Sequence, residues 1–208
     1  HAMAGKLMVD SVVTWAKEHV IVDAWEAAAE GGGKPASQIV ASEDGTKITI
    51  VPNKTLQDGL DVKGGPARVP VEYSLDKGQY LQIQQSEELV GSIVLSNKPT
   101  TLFGGHSCAL VPGMACDMLW QQIPSFQNWG SEYVGVGYRQ RTATPSELMP
   151  YRIVAAKDGT QLEYDPYIPP GAPTEMNAGD VATFPVSVNE PFVVRTQDAE
   201  HPIYMAAY

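Results

Sequence analysis

The sequence lacks the features of a membrane-spanning or nucleic-acid-binding protein. No apolar run among its 208 residues reaches the roughly 20 residues that a transmembrane helix needs. Lysine and arginine total only 14 against 24 acidic residues, and a formal charge of −10 repels phosphate groups. Nucleic acid and anionic membranes are therefore not expected partners. The chain is nevertheless long enough to bury a core of its own.

One pattern of residues occurs twice in the sequence. Residues 39–50 and 153–164 each run from apolar and small residues through an Asp-Gly pair into alternating apolar and polar positions. An Asp-Gly pair between such runs predicts a β-hairpin whose glycine has a positive φ. Shorter echoes follow at 75–80 and 176–181. Because the order is kept, we predict an all-β fold: an antiparallel β-sandwich-like architecture built from two related halves.

The repeat also suggests where the halves lie. We expect a first half at 4–150 and a second at 151–208, with an insert at 104–150 that breaks the repeated pattern. The opening residues 1–3, His-Ala-Met, resemble a vector-derived scar. The last residues are apolar and lack a polar tail, so we expect the second half to be truncated at its C-terminus.

One short helix is expected inside the insert. Asp117 is a good N-cap residue, and the Met-Leu-Trp-Gln-Gln run after it must end before Pro124. The sequence therefore predicts a helix near 117–122 in an otherwise β-rich chain.

Sulfur and imidazole side chains also gather in the insert. Cys108 and Cys116, the only cysteines, lie close together in a segment with glycine and proline that could fold back and bridge them. A disulfide would point to an oxidising compartment. His106, Met114 and Met118 lie nearby, so the alternative is a copper or zinc site. The disulfide is the favoured interpretation, because Cys-x7-Cys is not a zinc-knuckle spacing.

A catalytic nucleophile is not expected. The segment from Gly105 through Ser107 to Ala109 approaches the G-x-S-x-G elbow, but its last position is alanine and no helix pattern follows. A bridged cysteine cannot attack a substrate either. We therefore predict no catalytic residues and no cofactor.

The richest aromatic and arginine neighbourhood lies at 120–141. Tyrosine, tryptophan and arginine are enriched at protein interface hot spots. The candidate ligand-binding residues, with core packing the favoured alternative for the two tryptophans, are Trp120, Trp129, Tyr138, Arg139 and Arg141.

Five short motifs follow one another through the middle of the chain: S-x-K-P at 96–99, G-H-S-C at 105–108, A-C-D at 115–117, Q-x-P at 122–124 and W-G-x-E-Y-V at 129–134. With a V-A-x-x-D-G-T segment on either side, the chain over 38–208 resembles the IgGFc-binding protein N-terminal domain family. The resemblance implies an all-β module of a secreted or cell-surface protein. It also implies a paired role for Cys108 and Cys116. The form of these motifs in this chain is most similar to the bacterial branch of the family.

These observations predict a non-enzymatic extracellular or cell-surface recognition and adhesion module that binds a protein or glycan. The expected location is extracellular, at the cell surface, or in the bacterial envelope as a periplasmic protein or lipoprotein. One alternative is a structural spacer that contacts other domains of a longer chain. A less favoured alternative is a metal-binding protein that uses His106, Cys108 and Cys116.

Overall fold

The computed structural model describes four stretches of the chain: 11–27, 33–111, 115–141 and 146–208. They form two compact units, one ending at Asn128 and the other beginning at Trp129. Within the described stretches, no helix is long and apolar enough to cross a membrane.

The first unit is a seven-stranded antiparallel sheet. Its strands are β1 (Ala16–Val20), β2 (Pro35–Ala41), β3 (Thr46–Val51), β4 (Val71–Leu75), β5 (Tyr80–Gln84), β6 (Ile93–Ala109) and β7 (Asp117–Ile123). Single 3₁₀ turns lie at Val12–Thr14 and Phe126–Asn128.

The long strand β6 organises the first unit. Its first half pairs with β3 on one edge and β1 on the other, and its second half pairs with β2 and β7. β4 extends the first group beyond β3, and β5 extends the second beyond β2. Apolar residues from both groups, such as Ile48 and Leu102, are fully buried. β6 thus belongs to two four-stranded groups at once.

The second unit has two antiparallel sheets. Its strands are β8 (Glu132–Gly135), β9 (Leu148–Ala155), β10 (Thr160–Asp165), β11 (Glu175–Met176), β12 (Val181–Ser187), β13 (Phe192–Thr196) and β14 (Ile203–Ala207). One sheet has the order β11-β10-β13-β8 and the other β12-β9-β14.

Aromatic side chains from both sheets form the core of the second unit. Tyr151 on β9 meets Phe192 on β13 edge to face, with ring centroids 4.9 Å apart. Phe184 on β12 meets Tyr164 on β10 at 6.4 Å. Such contacts between two sheet faces define a β-sandwich. The all-β, antiparallel sandwich-like prediction is confirmed.

The strands of the second unit pair as their counterparts do in the first. β9 lies between β12 and β14 as β2 lies between β5 and the second half of β6. β10 lies between β11 and β13 as β3 lies between β4 and the first half of β6, and β8 borders β13 as β1 borders β6. Only β7 lacks a counterpart among the described residues of the second unit.

The two compact units divide between Asn128 and Trp129, whereas the expected halves divide between residues 150 and 151. Strands β8 and β9 both belong to the second unit. The reason is pairing over a long sequence separation: β8 aligns Val134 with Val193, and β9 aligns Val154 with Tyr204.

Both Asp-Gly turns have the predicted glycine conformation but not the predicted pairing. φ is +63° at Gly45 and +66° at Gly159. The strands on either side do not pair with each other, however, so neither turn closes a hairpin. β2 and β3 pair with different halves of β6, while β9 and β10 lie in different sheets. Each turn is therefore a connection between sheet regions, and the hairpin prediction was wrong.

The predicted helix near 117–122 was also wrong, because residues 117–123 form strand β7. β7 aligns Trp120 with Gly105 and Gln122 with Phe103 of β6. A six-residue helix has little stability of its own, so the strand pairing of residues 119–123 with β6 outweighs the cap at Asp117. The S-x-K-P motif at 96–99 lies within the continuous strand β6, which spans residues 93–109.

Candidate functional site

A disulfide links the two strands at the end of the first unit. Cys108 near the end of β6 bonds to Cys116 just before β7, with Cα atoms 5.0 Å apart. The ladder between these strands shifts register between His106 and Ala109. The bridge therefore pins an irregular hairpin end, and the disulfide prediction is confirmed.

His106 is fully buried beside this bridge, and its ring nitrogens make structural hydrogen bonds. Nδ1 accepts the Cys108 N–H at 3.1 Å, and Nε2 lies 3.0 Å from the Glu26 carbonyl oxygen. An imidazole in these contacts donates from Nε2 and has no lone pair free for a metal. Met118 is 75% exposed on β7, and Met114 lies outside the described residues. In the part of the chain that is described, no three His, Cys, Asp or Glu residues converge as metal ligands.

Ser107 does not occupy a nucleophile elbow. It lies within strand β6, and its hydroxyl accepts the Lys34 N–H at 3.0 Å. Its own N–H donates to the Lys34 carbonyl. These contacts close the edge between β6 and the chain before β2, so Ser107 has a structural role.

The two candidate tryptophans both contact other aromatic side chains. Trp129 is 7% exposed in the second unit, with its ring centroid 5.6 Å from that of Tyr204. Trp120, half-buried on β7 of the first unit, lies over Gly105 and stacks against Phe103 at 6.2 Å. A Cβ at Gly105 would meet the Trp120 ring at 2.0 Å, so this glycine makes room for the indole.

Two of the candidate ligand-binding residues form a compact surface cluster. The Arg141 guanidinium lies 4.9 Å above the Tyr138 ring and forms an ion pair with Glu147 at 3.0 Å. The Arg141 N–H also donates to Glu147 at 2.6 Å. Hydrogen bonding to Glu147 raises the pKa of the Arg141 guanidinium above its ordinary value. Arg139 is exposed nearby in the chain. This Tyr138–Arg141–Glu147 cluster presents an oriented cation and a partly exposed aromatic ring.

A second surface was not found by the sequence reasoning. Residues 57–62 form one wall of a cleft of about 520 Å³, and strand β5 forms the other. Leu60 at the tip of this loop is fully exposed. The sequence carries no specific signal for this surface, because single exposed apolar residues such as Leu60 are common in folded proteins.

Hydrogen bonds hold that loop in place. Leu56 and Gly65 exchange two backbone hydrogen bonds of 2.9 Å, and Asp58 accepts the Gly64 N–H at 2.7 Å. At its base, the Tyr73 hydroxyl donates to the Lys63 carbonyl. Burial, with the charge of Asp58, raises the pKa of the Tyr73 phenol to about 12. These hydrogen bonds therefore fix the conformation of the loop within the first unit.

Comparison with known proteins identifies the family. The family model described as IgGFc binding protein matches residues 6–208. The chain belongs to this family. It is also 27% identical over 155 residues to a Homo sapiens protein named IgGFc-binding protein. That alignment covers 74% of this chain but 3% of the human protein. The relative is human and lends no support to the expected bacterial branch or envelope location. No solved structure matches the chain.

Proposed function

We propose that this chain is a non-enzymatic extracellular module that recognises a protein ligand. The observation that carries the proposal is the family match across residues 6–208, because the family and the human relative are both named for binding the Fc region of IgG. The Cys108–Cys116 disulfide supports the location, since such bonds persist in oxidising compartments.

The surface chemistry is consistent with protein recognition. Tyr138 and Arg141 belong to residue types enriched at protein interfaces, and Glu147 orients the Arg141 guanidinium. Arg139, exposed two residues before Arg141, adds a second guanidinium in a chain whose net charge is −10. We therefore assign Tyr138, Arg139 and Arg141 as candidate contacts. Trp120 and Trp129 support the folded units instead.

Binding to purified proteins tests the proposal. The chain is immobilised, and IgG Fc fragment is passed over it with the Fab fragment as a matched control, followed by a panel of secreted proteins. Saturable binding to at least one protein is expected. A panel with no protein binder would contradict the proposal. Selective binding to a glycan array instead would support a glycan ligand.

A structural spacer is the second candidate. The aligned segment covers 3% of the human relative, so a domain of this kind can be one small part of a very long chain. In a spacer, the contacts would be made to neighbouring domains of the same chain. Force-extension measurements on a tandem array would then show a mechanically resistant unit, with no binding in the protein panel.

A further inference from the structure

Strand β5 has one free edge. It pairs with β2 on one side, and no described strand pairs with the other. The Ala41 N–H donates to the Gln79 carbonyl at 3.1 Å. Hydrogen-bonded positions alternate in an antiparallel ladder. The backbone N–H and C=O groups of Leu81 and Ile83 therefore also point toward β2. The N–H and C=O groups of Tyr80, Gln82 and Gln84 therefore point to the free edge.

The corresponding edge of the second unit is blocked. There the Ala155 N–H donates to the Asp180 backbone carbonyl, and the Val188 N–H donates to the Glu147 backbone carbonyl. By the same alternation, the backbone N–H and C=O groups of residues 181, 183 and 185 of β12 point outward. Position 185 is a proline and has no N–H to offer an incoming strand. Proline on an edge strand is a common protection against pairing with another chain. The first unit has Gln84 at the equivalent place and lacks this protection.

An additional loop stands beside the open edge. The connection between β3 and β4 spans 52–70, whereas its counterpart between β10 and β11 spans only 166–174. The longer connection carries the loop 57–62 with the exposed Leu60. Gln85, directly after β5, ties the two together because it accepts the Gln57 N–H and donates to the Thr55 carbonyl, each at 3.1 Å.

The cleft between loop and strand has the features of a strand-binding groove. One wall carries the outward backbone groups of β5 with the exposed side chains of Tyr80, Gln82 and Gln84. The opposite wall carries Leu60 between Asp58 and Asp61, whose side chains are both exposed. An added strand would gain main-chain hydrogen bonds from β5 and an apolar contact from Leu60. The two carboxylates favour a basic side chain on that strand.

We infer that this cleft binds an extended, basic segment of a protein partner as an additional strand on β5. The inference rests on the proposed protein-binding function and names the surface and the partner chemistry for it. Backbone pairing supplies the affinity, and the Asp58 and Asp61 carboxylates set the preference for lysine or arginine in the bound segment.

A proline exchange tests the edge with a matched control. Gln84→Pro copies the blocked edge of the second unit and removes one outward N–H without touching a bond to β2. Gln84→Ala removes the same side chain but keeps the N–H. The probe is a phage-displayed library of random twelve-residue peptides, selected on the unmodified chain and counter-selected on Gln84→Pro. Enriched peptides are then synthesised, and their affinities are measured by fluorescence anisotropy.

We expect enriched peptides rich in β-branched residues with at least one lysine or arginine. Their binding should weaken at least tenfold in Gln84→Pro and stay within twofold in Gln84→Ala. Leu60→Ser and Asp61→Lys, both changes of exposed residues, should each weaken binding at least threefold. Circular dichroism and melting temperature of every variant establish that it is folded.

Failure would take one of three forms. The edge assignment is overturned if no peptide is enriched on the unmodified chain over Gln84→Pro, or if both Gln84 variants bind equally well. Concentration-dependent dimerisation that only Gln84→Pro abolishes would assign the edge to a second copy and also overturn the inference. Continued binding of a panel protein by Gln84→Pro would preserve the protein-binding function and refute this site alone.

Discussion

The Asp-Gly turns allow a backbone prediction with an internal replicate. Gly45 and Gly159 have φ near +63° and +66°, and a Cβ at either position would meet no atom within 4 Å. Any destabilisation by substitution must therefore come from backbone conformation and not from a steric clash with neighbours. Because the two sites have the same conformation and the same open surroundings, the same substitution should have the same effect in both units.

The magnitude follows from the cost of left-handed backbone. An ordinary L-residue there costs about 1–2 kcal/mol relative to glycine. Alanine recovers about 0.4–1 kcal/mol by reducing the entropy of the unfolded chain, so Gly45→Ala should lose about 1 kcal/mol. Gly45→Val adds β-branching and should lose about 2 kcal/mol. Gly45→Asn should remain within about 0.5 kcal/mol, because asparagine is enriched in this region.

Urea denaturation is the appropriate assay, with each unit followed by its own probe because two units need not unfold together. The series Asn, Ala, Val is made at Gly45 and again at Gly159. The order of stability should be glycine, asparagine, alanine, valine at both positions. Equal stability of the valine and glycine chains, or an asparagine chain as unstable as valine, would refute the backbone explanation.

Three further predictions concern covalent and buried polar features. Replacing Cys108 and Cys116 together by serine should lower the free energy of unfolding of the first unit by about 2.5 kcal/mol, the loop-entropy value for so short a loop. Intact mass and free-thiol titration of the unmodified chain should show the bridge. Two titratable thiols would contradict it. Burial lowers the pKa of His19, whose Nε2 donates to Thr100 and whose Nδ1 has no partner among the described residues. The unfolded chain then binds a proton more readily, so stability should be constant above about pH 6.5 and fall as the pH drops toward the lowered folded-state pKa; urea midpoints that do not change in this window, or change equally in His19→Gln, would exclude this origin. The Tyr133 hydroxyl donates to the Ile203 carbonyl at 2.9 Å and accepts the Gly130 N–H at 3.1 Å. Tyr133→Phe should therefore destabilise the second unit by about 1–3 kcal/mol in a thermal melt. An unchanged melting temperature would show that water replaces both hydrogen bonds and would contradict the prediction.

Much of the fold class was readable in local chemistry. Alternating apolar residues around Asp-Gly pairs indicated strands, and the glycines at 45 and 159 have the positive φ that such pairs favour. Two cysteines in a short Gly/Pro-containing segment indicated the bridge that the structure contains. Each of these depends on residues close together in the chain, where propensity and turn chemistry act directly.

The candidate site was less predictable. Aromatic and arginine composition singled out the 120–141 region, but composition does not separate a core tryptophan from an exposed one. Trp129 packs against Tyr204, far along the chain, while Tyr138 and Arg141 stay at the surface. The cleft beside β5 was not predicted, because its two walls, residues 57–62 and 80–84, are distant in the sequence. The hydrogen bonds that join Gln85 to Gln57 and Thr55 hold them together in the fold.

The sequence by itself indicated the all-β class, the two turns that require glycine, the disulfide pair and the family. Tertiary structure decided which strands pair, and it overruled the local signals in two places. The Asp-Gly turns connect separate sheet regions because the strands beside them pair with distant partners: β2 and β3 pair with different halves of β6, while β9 pairs with β14 and β10 pairs with β13. Residues 117–123 form a strand because β6 pairs with them, continuously from Leu119 to Ile123. Pairing energy depends on partners distant in sequence, and no local pattern contains that information.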